Sequence, residues 1–213
     1  MESIVKDKTV YSGRPCDVSG RTQREIAVYD ILDGLDIKYA RLDHDVAPTI
    51  EACAEIDELM QTPVCKNLFL CNGGKTQFYL LLMTGDKRFS TKDFSRLIGC
   101  SRLSFAPAEY MEALLGVTPG SVTVLGLMND TENSVKLYID KDVLADEYMG
   151  CHPCINTSSL KIKTADITEK FLPYIKHTYR VVDLGSFEKI EKLSFRIRKS
   201  RLRQNIGKRM LFA

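Results

Sequence analysis

The sequence predicts a mixed α/β domain, a sheet with helices packed around it. Two short apolar runs, 67–71 and 77–83, flank Asn72-Gly-Gly-Lys-Thr76 and read as a β-hairpin. On either side of it, helical and strand-like segments interleave without the regular β-α-β alternation of a parallel sheet. There is no internal repeat and no low-complexity segment.

Residues 1–20 contain Gly13, Pro15 and Gly20 with little periodicity, and are expected to be a loosely packed lead-in. Thr22-Gln-Arg-Glu25 is a capping box that opens a helix carrying Ile26, Val28, Tyr29, Ile31 and Leu32, with Gly34 ending it. A strand is expected over 37–42, and a helix from Pro48-Thr49 to about Met60. Beyond the hairpin, helices are expected at 91–98, 107–115 and 164–176. Strands are expected at 103–105, 122–127, 135–139, 148–155 and 159–162. The chain is thus divided into a lead-in (1–20), one domain (21–185) and an extension (186–213). The extension alternates like a strand at Leu193, Phe195 and Ile197, yet Phe187, Ile190 and Ile197 suit a helix, and both readings stay open.

An apolar fraction of 44% suffices for a core, and 27% charge is ordinary for a globular chain of 213 residues. No apolar run approaches the roughly 18 residues a membrane span requires. The stretch Met1–Lys8 is too polar for a signal peptide, so a cytosolic protein without a membrane partner is expected. Seven cysteines cannot all pair within the chain, and seven free thiols are expected. The overall charge of +2 hides an uneven distribution: residues 186–213 carry a net +7 and the remainder a net −5. A basic extension on a mildly acidic body suits a polyanion such as RNA, or is merely solvated.

Several motifs resemble catalytic signatures and fail on their details. Gly74-Lys75-Thr76 looks like the end of a phosphate-binding loop, but Phe69 stands where that loop needs its first glycine. Cys151-His152-Pro153-Cys154 has zinc-like spacing without a second ligand pair, which leaves a redox dithiol as its alternative chemistry. No metal and no cofactor are therefore expected. His44 reads as a turn or surface residue, and His177 as a helix-end cation. His152 stands apart, within a polar and small stretch that runs to Ser159. Lys66 opens an apolar strand, as either a snorkelling edge residue or a cation facing a pocket.

Six segments in order resemble one family. They are His44-Asp-Val-Ala-Pro48-Thr49, Lys66-Asn-Leu-Phe-Leu70, Gly85-Asp-Lys-Arg-Phe89, Ser101-Arg-Leu-Ser-Phe-Ala106, Leu115-Gly-Val-Thr-Pro-Gly-Ser-Val-Thr123 and His152-Pro-Cys-Ile-Asn-Thr157. On these the chain resembles the YbaK-like aminoacyl-tRNA deacylases, a group that includes the editing insertion of bacterial prolyl-tRNA synthetases. It is most similar to the free-standing alanyl-tRNA-Pro deacylases of the ProXp-ala type.

The resemblance implies a mixed α/β fold around a curved, largely antiparallel sheet. It also implies hydrolysis of the aminoacyl ester of Ala-tRNA-Pro, with Lys66 and His152 as the catalytic pair. Asn67, Gly120, Ser121, Val122, Asn156 and Thr157 would line the substrate site, and prolyl-tRNA synthetase is the implied associate. Cysteine or another small residue on tRNA is the alternative substrate. A non-catalytic tRNA-binding module is the alternative class. The chain departs from the family pattern at Val124, where a proline is usual, and at Ser158-Ser159.

Overall fold

A computed structural model describes residues 3–46 and 50–185. The chain divides into two units, Met1–Val182 and Asp183–Ala213, and the strands of the described residues belong to the first. The extension 186–213, with its open choice between strand and helix, lies outside the described residues.

The mixed α/β class is as the sequence predicts, but the strands form two sheets where the resemblance implied one. The first sheet contains β3 (Lys66–Asn72), β4 (Phe78–Met83), β5 (Leu103–Phe105), β6 (Val135–Asp140) and β9 (Tyr179–Val182), in the order β5-β3-β4-β6-β9. All six residues of β4 are buried. That is the signature of a strand covered on both faces, and it explains why the sequence shows an unbroken apolar run there. β3 and β4 form the expected antiparallel hairpin, with Asn67 opposite Leu82 and Cys71 opposite Phe78. Its turn is closed by the Asn72 side chain, whose Oδ1 accepts from the backbone N–H groups of Thr76 (2.8 Å) and Gln77 (3.1 Å). β4 to β6 and β6 to β9 are parallel pairs.

The second sheet is antiparallel throughout, with β1 (Tyr11–Ser12), β2 (Tyr39–Asp43), β8 (Ser158–Lys163) and β7 (Tyr148–Cys151) in that order. The sheets meet where Val64 pairs with Gly150. The Cys65 N–H donates to the Gly150 carbonyl (3.0 Å), and the Gly150 N–H to that of Pro63 (3.3 Å). A Cβ on Gly150 would lie 2.8 Å from the Pro63 carbonyl oxygen and the Val64 Cα. Only glycine permits this approach.

Helical segments surround the sheets: α1 (Gln23–Gly34), α2 (Ile50–Met60), α3 (Thr91–Leu97), α4 (Ala108–Leu115), α5 (Lys141–Ala145), α6 (Thr164–Asp166) and α7 (Leu172–Tyr174). α1 begins at Thr22 as expected, its hydroxyl accepting from the Glu25 N–H at 3.3 Å, while the Glu25 carboxylate accepts from Arg21 and the Tyr29 hydroxyl in place of the reciprocal bond of a capping box. It buries Val28, Tyr29 and Leu32 in a core shared with Phe69, Leu80 and Leu82 of one sheet and Leu160 and Ile162 of the other. Each such side chain contributes about 1.5–3 kcal/mol on removal from water.

Four expectations need correction. The stretch 122–127 is no strand. Val124–Asn129 is a 3-10 segment opened by the Thr123 hydroxyl, with Val124 to Leu127 all buried, so periodicity had nothing to report. The single helix expected over 164–176 is α6, a π-helical turn (Ile167–Phe171) and α7. Pro173 has no N–H for the carbonyl four residues back, in keeping with this irregular ladder. The lead-in is not loose, since Val5 packs with Leu42, Ile56 and Met60, and β1 pairs with β2. Finally, β1, α5 and β9 were not anticipated. No described helix is long and apolar enough to cross a membrane.

Candidate active site

Strand β3 places Lys66 and Asn67 side by side in sequence and therefore on opposite faces of the sheet. Each borders its own cleft. The Lys66 ammonium donates to the Lys87 carbonyl (3.0 Å) and lies in an open cleft of about 720 Å³ with Asp86, Arg88, Phe89, Ser90 and Phe105. The neighbouring Lys87 ammonium turns inward, to the buried Asp140 and to Asp142 at 2.6 Å. Burial alone would lower the Lys87 pKa, but the two carboxylates raise it. Lys87 is thus paired with carboxylates, whereas the Lys66 ammonium borders the cleft, held by a backbone carbonyl.

On the other face, Asn67, Gly120, Val122 and His152 join Cys65, Phe69, Met111 and Pro119 around a cleft of about 280 Å³. The Asn67 Nδ2 donates to the Cys65 carbonyl (2.9 Å). Its Oδ1 is buried and has no hydrogen-bond partner among the described residues. An unspent buried acceptor costs about 1–3 kcal/mol.

His152 is buried, and its Nδ1–H donates to the Ser158 carbonyl at 3.0 Å, which leaves Nε2 as an unprotonated acceptor. Beside it, with ring centroids 6.3 Å apart, lies His44. The His44 Nδ1–H donates to the Asp45 carbonyl (2.8 Å), and its Nε2 accepts from the Ser159 hydroxyl (3.0 Å). Burial lowers the pKa of both rings, so the pair is neutral near pH 7. Reading His44 as a turn or surface residue is therefore corrected: it is buried against the candidate site. The available signal was its place in the first of the six resembling segments.

The remaining candidates stand behind the cleft. Gly120 has φ +89°, and a Cβ there would meet the Asn156 Nδ2 at 2.9 Å, so glycine is required on two counts. The Ser121 hydroxyl donates to the Thr118 carbonyl (2.9 Å) and accepts from the Thr118 N–H (3.1 Å), tying the turn together. Thr157 is exposed, and its carbonyl accepts from the His44 N–H (3.0 Å). Of the eight residues, four line the small cleft, Lys66 faces the adjoining one, and Ser121, Asn156 and Thr157 support the walls. The two clefts share Leu68 and Phe105.

The decoy motifs resolve as structure. All seven cysteines are free. Burial pushes the Cys65 and Cys154 thiols up to about 12 and Cys151 in the same direction, the opposite of what a reactive thiolate needs. His177 is buried against Asp130. Among the described residues, no three His, Cys, Asp or Glu side chains gather as a metal site.

Fold and site together are a two-sheet α/β domain with a small neutral cleft backing onto a cationic one. Residues 44–170 match the family model of the aminoacyl-tRNA editing domain, and the chain belongs to that family. The prolyl-tRNA editing protein ProX of Acetoanaerobium sticklandii is 30% identical over 158 residues, covering 74% of this chain and 96% of that protein. The prolyl-tRNA synthetase associated domain-containing protein 1 of Danio rerio is 29% identical over 151 residues, covering 70% of this chain and 81% of its own. Among solved structures, a protein proposed to be a trans-editing enzyme for prolyl tRNA synthetase superposes with a TM-score of 0.57 at 18% identity, covering 76% and 96% of the two chains.

Proposed function

We propose that the protein is a trans-acting deacylase that hydrolyses the ester of alanine mischarged onto tRNA-Pro. The observation that carries this reading is the pair of clefts on the two faces of β3, one of aminoacyl size and one cationic, with a common rim at Leu68 and Phe105. Family membership and the names of the relatives supply the substrate class. Under this reading prolyl-tRNA synthetase is the associated enzyme, and the reaction takes place in the cytoplasm with no cofactor.

An aminoacyl ester is already activated, so hydrolysis needs placement of the carbonyl and stabilisation of the developing oxyanion, without a protein nucleophile. Lys66 is the fixed cation that holds the terminal nucleotide and its phosphate, as a compact ammonium on a flexible stem can. Asn67 lines the cleft where the substrate's α-ammonium group would sit, its amide held by the Cys65 carbonyl. His152 forms the wall that limits side-chain size, and its Nε2 accepts from a substrate hydroxyl or the attacking water. Gly120, Val122 and the Ser121-tied turn form the opposite wall, braced from behind by Asn156 and Thr157. Rejection of proline rests on the shape of the wall at His152 and not on volume, since a cleft of about 280 Å³ has room for either side chain.

The test is to incubate purified protein with Ala-tRNA-Pro, Cys-tRNA-Pro and Pro-tRNA-Pro and to measure ester loss beside a Lys66→Ala control. Rapid loss of alanine alone, abolished in the control, is the expected result. Preferential loss of cysteine would keep the reaction and reassign the substrate. Survival of all three esters with tRNA still bound would make the protein a non-catalytic binding module.

A further inference from the structure

We infer that Phe105 is a stacking platform for a nucleobase at the 3′ end of the substrate RNA, seated on the rim between the two clefts. This rests on the deacylase reading and adds to it the residue that holds the terminal base. Phe105 is 57% exposed, whereas Phe69, Phe78, Phe94 and Phe171 are all buried. A phenyl ring left in water forgoes the stabilisation that burial gives the other four.

The ring is nevertheless well anchored. Its backbone pairs with Leu70 at the end of β5, and the next N–H, that of Ala106, donates to the Phe69 carbonyl at 2.9 Å. Phe89 meets the Phe105 ring edge-on, with centroids 6.1 Å apart, and Phe89 in turn lies against the buried Phe94 at 5.9 Å. An exposed aromatic ring braced from one side offers its free surface to a planar partner. The company it keeps selects which partner. Lys66 and Arg88 share its cleft on one side, while Asn67 and His152 share the small cleft on the other. Asp86 offsets part of the charge of Lys66 and Arg88, and a ligand suited to both clefts joins a negative group, a flat π-system and a small polar group. The 3′-terminal nucleotide of an aminoacyl-RNA has that construction. Stacking on an aromatic ring, with nearby cations on the backbone, is how single-stranded ends are generally held.

The experiment uses a tRNA-Pro acceptor minihelix whose terminal adenine is replaced by 2-aminopurine, a base whose fluorescence is quenched on stacking. Binding to the wild-type protein is expected to quench it. Phe105→Ala and Phe105→Leu are expected to abolish the quench and to weaken binding about ten-fold or more, the weight of one stacked base. Phe105→Trp, which keeps a π-face, restores both. With alanylated minihelix of natural sequence, the Phe105→Ala loss should fall mainly on KM, as for an interaction made equally in ground and transition states. An unquenched wild-type complex overturns the inference, as does a quench that survives in Phe105→Ala. Turnover of alanylated minihelix by the wild type is read alongside. Turnover without quenching overturns the stacking alone, whereas neither binding nor turnover overturns the deacylase reading with it.

Discussion

The two faces of β3 solve opposite problems with adjacent residues. On the Lys66 face, charge is abundant and most of it is spent: Lys87 is held by Asp140 and Asp142, and Lys66 is steadied by a backbone carbonyl at the border of the cleft. On the Asn67 face, charge is absent, both histidines are neutral, and the carboxamide oxygen is left unpaired. The contrast teaches that long-range attraction and close discrimination need different dielectric surroundings. A cation acts through an open, wet cleft, whereas a steric and hydrogen-bonding filter works best where water is excluded.

Mutations can break this division. Removing the cation should have the largest effect: Lys66→Ala is expected to lower kcat/KM for Ala-tRNA-Pro by about 10²-fold or more, as loss of a preorganised charged donor does. Steady-state kinetics at fixed ionic strength check this, and a loss below about five-fold would remove Lys66 from the machinery. His152→Ala acts on the other face and should alter selectivity more than rate. Discrimination between alanine and larger residues is expected to fall by about ten-fold, the scale at which a pocket resolves one methylene. Parallel hydrolysis of Ala-tRNA-Pro and Pro-tRNA-Pro measures it, and an unchanged ratio would deny His152 its place as the wall.

The smallest effect concerns protons. Because burial depresses the pKa of His44 and His152 in the folded chain, their contribution to stability is complete above pH ~6.5 and is lost as pH falls below it. The unfolded chain binds protons there that the folded chain resists. Urea midpoints between pH 7.5 and 5.5 should fall, and fall less in His44→Asn. An identical slope in that variant would mean that the buried ring takes up protons freely.

What the sequence made legible depended on local chemistry. The turn at Asn72 and the cap at Thr22 are specified within five residues, and both formed as expected. The stretch 122–127 was misread because residues buried on every side carry no period. Division into two sheets depends on Val64 meeting Gly150, a pairing no local pattern announces. The residues around the site were legible through resemblance, but their arrangement was not. Resemblance grouped Lys66 with Asn67 and His152, and the alternation of a strand separates Lys66 onto the far face. His44 reads locally as a turn or surface residue. Its burial follows from contacts with Thr157 and Ser159, more than a hundred residues away.

The crowded contact at Gly150 bears on how such a protein can change over generations. It lies two residues before His152, and its partner Val64 lies two residues before Lys66, so a single methyl group at one position would displace both clefts together. Lineages can therefore drift in the residues that colour the pocket walls, acquiring a preference for one amino acid or another. The seam that holds the walls in register offers no such latitude, and new specificities must be written around it.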